Sequence, residues 1–177
     1  MLLFTVSVMN SQTKEDLEID RLTSMLSWKS VTITCNYVLV LMDGDSVSNK
    51  LVQIGKPATE RLINAVNNPE KTVAIHIILT RICEPKKYNQ NISTIYIYRN
   101  CNEALGWHHV FNGITWKWIE GEDESISDTQ VAQVYNYWKT KLIDKKRAKL
   151  RNDKQIAKAI NDEDKELYPC SQKNFYQ

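Results

Sequence analysis

The residue types best suited to chemistry gather in one short stretch, Trp107-His108-His109, and in its continuation through Trp116 and Trp118. Imidazoles act as metal ligands or as acid and base near neutral pH, and indoles offer flat apolar faces with one polar N–H. Adjacent residues of a strand point to opposite faces of a sheet, so His108 and His109 do not chelate one ion together. His109, flanked by tryptophans, reads as a hydrogen-bonded core or rim histidine, and His76, inside an apolar helical run, as a satisfied core residue. Four cysteines, Cys35, Cys83, Cys101 and Cys170, show no C-x-x-C and no short histidine spacing, which argues against zinc. They read as buried thiols, with two disulfides as the alternative in an exported chain. Asp43-Gly44-Asp45 lacks the rest of a calcium loop, because its twelfth position is Ile54 and not Glu. No G-x-S-x-G, H-E-x-x-H, Walker or G-x-G-x-x-G pattern occurs, and five glycines supply phosphate-cradling loops poorly. No catalytic residue, metal or cofactor is therefore assigned, and the candidate binding residues are Trp107, His109, Trp116 and Trp118.

A chain of 177 residues suits one domain with one core. Hydrophobic residues at 42% and charged residues at 25% exclude collagen-like, low-complexity and wholly disordered chains. No apolar run approaches the ~20 residues of a membrane-spanning helix. A net charge of +2 is too small for the whole surface to act as a polyanion binder.

The elements that must position the aromatic residues follow from periodicity. Residues 13–28 place Ile19, Leu22, Met25 and Leu26 on one helical face, and 31–42 is rich in β-branched residues and reads as strand. Strict alternation makes Thr94–Arg99 a strand, and Trp107–Trp118 a hairpin turning at Asn112-Gly113. A two-residue turn there pairs Phe111 with Ile114, His109 with Trp116 and Trp107 with Trp118. One face then carries Trp107, His109, Phe111, Ile114, Trp116 and Trp118, and the other carries His108, Val110, Thr115 and Lys117. The aromatic face is expected to pack on the helices, with the binding alternative leaving part of it open to a peptide or sugar. Ser127 and Gln130 form an S-x-x-Q capping box for a helix over 129–144, whose buried face is Val131, Val134, Tyr135, Trp138 and Leu142.

The segment 46–83 contains a helix closing at Ile-Gly-Lys-Pro, a second amphipathic helix, an Asn67-Asn68-Pro69 break and a third apolar helix. In this order it resembles a single HEAT-like helical repeat. The resemblance implies stacked helical hairpins and a protein-binding role. No second copy follows at the ~40-residue period of an array, so helical packing inside a mixed domain is what carries over.

Residues 1–9 hold seven apolar side chains and are followed by the polar stretch 10–14, which is h-region length. The junction at Ser11-Gln12 resembles leaders of envelope proteins from Gram-negative bacteria whose mature chain opens with Gln. Residues 1–11 are accordingly expected to be a truncated secretory leader without its positive n-region, or else a first strand packing Leu3, Phe4 and Val6 on the core. Toward the other end, Lys139–Lys158 holds nine basic and two acidic residues, a local +7 against −5 elsewhere. It reads as a solvated helix with Ile156, Ala159 and Ile160 resting on the domain, its lysines facing water or the acidic 120–128 loop.

The sequence thus predicts one α+β domain over 12–167, with a loose tail at 168–177. Its antiparallel sheet, from 31–42, 94–99 and the aromatic hairpin, is packed against several helices, including the HEAT-like hairpin. The expected function is a non-catalytic protein-interaction or accessory domain of a bacterial cell envelope, exported to the periplasm or secreted, with a cytoplasmic protein as the alternative. Another protein is the expected partner, and no integral membrane segment is expected. A nucleic-acid accessory factor using 139–158 and a hydrolase with unidentified residues are the two rivals; the former lacks aromatics or a motif within its basic run. Mass spectrometry of protein exported from its native host is expected to find a chain beginning at Gln12, and an intact Met1 contradicts the leader.

Overall fold

In the computed structural model the chain is described over residues 12–31, 33–36, 38–41, 44–88, 92–99 and 103–167. The leader-like segment 1–11, the tail 168–177, Cys101 and the side chain of Cys35 lie outside the described residues. Cys83 is a free, half-buried thiol whose pKa burial pushes up.

Local capping sets where the helices begin. Helix α1, Lys14–Met25, opens on a reciprocal box in which the Thr13 hydroxyl accepts from Asp16 N–H and the Asp16 carboxylate accepts from Thr13 N–H. Helix α2, Ser46–Ile54, is capped by Asp45 and closes at Gly55, whose φ of 74° suits glycine. After a short 3-10 turn at Lys56–Ala58, helix α3 runs over Thr59–Ala65. Asn68 and Pro69 then open helix α4, Pro69–Cys83. Residues 72–80 of α4 are buried on every side, which makes it the central helix of the core. The buried hydroxyls of Thr72 and Thr80 donate to backbone carbonyls of Val66 and His76.

The strands depart from expectation in one respect. The described strands of the 31–42 stretch do not join the main sheet. Strands β1, Ile33–Asn36, and β2, Val38–Leu41, pair with each other in a separate two-stranded ribbon. A segment that reverses within itself spends its backbone hydrogen bonds locally and has no need of a distant edge. The main sheet is antiparallel, in the order β3-β4-β5, and comes from consecutive stretches: β3 Ser93–Arg99, β4 Glu103–Phe111 and β5 Ile114–Ile119. Its hairpin register pairs Phe111 with Ile114, His109 with Trp116 and Trp107 with Trp118, as the Asn112-Gly113 reversal dictates. Both turn residues take positive φ, 44° and 84°.

Helix α5, Asp128–Trp138, follows its Ser127 cap and ends in a π-helical turn over Lys139–Ile143. The basic segment then departs from the helix expected over 139–158. Lys145 takes a φ of 52°, and residues 145–152 run without regular structure to helix α6, Asp153–Leu167. The reason lies at the hairpin tip. A Cβ on Gly113 would stand 2.7 Å from both the Arg151 carbonyl oxygen and the Leu150 Cβ, so this segment crosses directly over the turn. Only glycine, without a Cβ, admits this approach.

Together these elements make an α+β fold with six α-helices and a three-stranded antiparallel sheet among the described residues. One face of the sheet sends Phe111, Ile114 and Trp116 into the core formed with Leu62, Ile78 and Trp138 of the helices. The other face is covered too. Ile95 and Val110 pack against Ile156, Ala157 and Ile160 of α6. Trp116 is 2% exposed, so Trp116→Ala removes a full ring from a packed core and is expected to cost about 3–5 kcal/mol. Urea denaturation reads this, and an unchanged midpoint contradicts the core assignment.

Candidate functional site

The hairpin divides its aromatic residues by distance from the turn. Near the tip, Trp116 belongs to the core, and His109 is 4% exposed with its Nδ1 3.0 Å from the Thr94 hydroxyl. Its ring lies between Trp116 and Trp107, at centroid distances of 5.3 and 6.0 Å. Away from the tip, Trp107 and Trp118 stack with centroids 4.2 Å apart and planes 25° from parallel, and both remain partly exposed. Of the four sequence-predicted residues, Trp107 and Trp118 are therefore the pair that reaches the surface. The Trp107 indole N–H is buried and has no acceptor among the described residues.

Trp118 lines a groove of about 640 Å³. Trp28, in a 3-10 turn after α1, and Pro69, at the start of α4, line it too. So do Ser125 and Ile126. Four carboxylates line it, those of Glu70, Glu122, Asp123 and Glu124, against the single ammonium of Lys29. Partial burial pushes the Glu124 carboxyl above its ordinary range.

The acidic loop is held to the sheet by backbone bonds. Lys117 and Ser125 exchange N–H to carbonyl hydrogen bonds of 2.9 Å each, and Glu120 N–H donates to the Leu105 carbonyl at 2.8 Å. The carboxylates are thereby presented beside Trp118 on a fixed frame. The sequence signalled Trp118 and the acidic run separately. It carried no signal for Trp28 or Glu70, which reach the groove through the packing of the Trp28–Ser30 turn on α4 and not through any local spacing.

What this arrangement can do chemically is bind. Flat π-faces attract cations and cover aliphatic stems, and the carboxylates favour positive charge. Among the described residues no group of three or more His, Cys, Asp or Glu side chains is placed to hold a metal ion, and no helix is long and apolar enough to cross a membrane. Compared with protein-family models, curated proteins and solved structures, the chain matches none.

Burial lowers the pKa of both His76 and His109 to about 4, so each stays neutral in the fold at neutral pH. The unfolded chain takes up protons near the ordinary value of 6.5, before the folded chain does. Stability is therefore present above that value and is lost as pH falls through the interval down to about 4. Each histidine contributes up to about 1.4 kcal/mol per pH unit there. Urea midpoints measured between pH 7 and 5, above the main carboxylate range, are expected to fall with pH. His109→Gln is expected to flatten that slope, and an equal slope in parent and variant contradicts a buried neutral imidazole.

Proposed function

We propose that the chain is a non-catalytic protein-interaction domain whose groove, lined by Trp28 and Trp118, receives a lysine or arginine side chain from a partner protein. The observation that carries this reading is the meeting of two indoles with four carboxylates around one groove of about 640 Å³. A basic side chain fits that lining because its stem lies on apolar ring faces while its charge meets carboxylates. The stacking of Trp107 on Trp118 supports it further, since a braced ring loses less freedom on binding. The helical frame over 46–83, with its HEAT-like order, supports a protein as the partner. The apolar segment 1–9 favours placing this accessory domain in a bacterial cell envelope.

A titration of the full chain with short oligolysine, followed by the ¹⁵N indole signals, tests the proposal. Saturable shifts are expected at Trp28 and Trp118 and not at buried Trp116, with affinity that weakens as salt rises. Trp118→Ala is expected to weaken binding roughly two- to thirtyfold, the range of a cation–π contact. Neutralising Glu122, Asp123 and Glu124 to Gln, Asn and Gln is expected to weaken it without moving the urea midpoint. An equal response to oligoglutamate, or oligolysine binding that survives both variants unchanged, contradicts the proposal.

A further inference from the structure

The opposite charge collects at the other end of the hairpin. Glu84, just past the C-terminus of α4, has a side chain only 8% exposed, and its carboxylate is fully engaged. It accepts from the Tyr137 hydroxyl at 2.7 Å, from Lys87 Nζ at 2.7 Å and from Lys141 Nζ. Lys141 Nζ stands 3.2 Å from the Tyr137 oxygen and Lys87 Nζ 3.4 Å from it. One carboxylate thus fixes two ammonium groups and a phenol in place. Each ammonium has three N–H groups, more than these contacts use.

The segment that crosses Gly113 adds to this cluster. Lys149, Arg151 and Lys154 line a cleft of about 490 Å³ together with Lys87 and Tyr137. Two carboxylate residues also line the cleft: Glu84, engaged as described, and Asp153, whose Oδ1 accepts from the Gly113 N–H at 2.6 Å. Four cations therefore face the cleft with their charge only partly offset. Asn112 also lines it, and the nitrogen of its side-chain amide is buried with no acceptor among the described residues. The backbone of Asn112 takes positive φ, with its carbonyl 3.2 Å from His76 Nε2. Four cationic residues against two carboxylates, with a buried amide donor beside them, define an anion site. Ala148 and Leu150 give the cleft an apolar side, and its volume exceeds what one small anion fills.

We propose that this cleft binds a phosphate group, carried as a phosphomonoester whose organic part lies against Ala148 and Leu150. A phosphate brings about −1.5 to −2 charge and three acceptor oxygens, enough to meet several ammonium groups, the Arg151 guanidinium and the Asn112 amide at once. The site is independent of the Trp28–Trp118 groove, and neither proposal depends on the other.

Inorganic phosphate, titrated into the full chain at constant ionic strength and followed by ¹H–¹⁵N correlation spectra, is the direct probe. Saturable shifts are expected at the Asn112 side-chain amide and the Gly113 backbone. The double variant Lys149→Ala/Arg151→Ala is expected to weaken binding at least tenfold with an unchanged urea midpoint, whereas Lys29→Ala, at the other groove, leaves it intact. A phosphomonoester that competes with inorganic phosphate and binds more tightly supports the apolar wall. The absence of saturable shifts, or a double variant that binds like the parent, overturns the site. So does a single-stranded oligonucleotide that binds with a log–log salt slope of several units and is not displaced by saturating phosphate, because the basic surface then serves polymer backbones.

Discussion

One imidazole ties the sheet to the helices. His76 sits at the centre of α4, 1% exposed, with the Trp138 indole N–H donating to its Nδ1 at 3.0 Å and its Nε2 3.2 Å from the Asn112 carbonyl oxygen. These two partners leave a single consistent protonation state. Nδ1 must be an acceptor and Nε2 a donor, so the ring is neutral and carries its proton on Nε2. Burial favours the same state, because a charged imidazole in this core loses its water. A second proton on Nδ1 would set it against the Trp138 N–H. The central helix, the last aromatic residue of α5 and the tip of the hairpin are joined through this one ring, with the Phe111 ring edge-on to it at 6.1 Å.

The hairpin tip is held from outside as well. Asp153 accepts the Gly113 N–H, and Leu150 and Arg151 pass so close over Gly113 that no Cβ fits there. A reversal fixed on both sides fixes the register of the strands behind it, and that register decides which rings enter the core. Residues near the tip are buried, while the stacked Trp107 and Trp118 come to the edge of the helical layer, beside the acidic loop. The two ends of one hairpin consequently face opposite charges. A groove rich in carboxylates lies at the Trp118 end, and a cleft rich in cations lies at the Asn112-Gly113 end.

Much of this was legible in local sequence, and the part that was not is long-range. Asn-Gly between alternating apolar residues specifies a two-residue turn and hence every cross-strand pair, because both residues must take positive φ. Asn68-Pro69 and Ser127 mark helix starts through hydrogen bonds made within a few residues. Three features lay beyond such reasoning. The ribbon of 33–41 pairs with itself, although its β-branched composition suits any sheet edge equally well. The basic run crosses the hairpin tip as irregular chain, although its composition suits a solvated helix; the close approach to Gly113 decides the matter, and that contact lies far along the chain. Trp28 and Glu70 reach the groove only through the way the Trp28–Ser30 turn packs on α4. Local propensity says where elements begin, and tertiary contact says which side chains meet.

The ¹⁵N resonances of the His76 ring test the central claim most directly. The account predicts a neutral ring protonated at Nε2, unchanged from pH 7 down to near pH 4, with a Trp138 indole proton that exchanges slowly with water. A ring protonated at Nδ1, or one that titrates near its ordinary value of 6.5 while the chain stays folded, would contradict it.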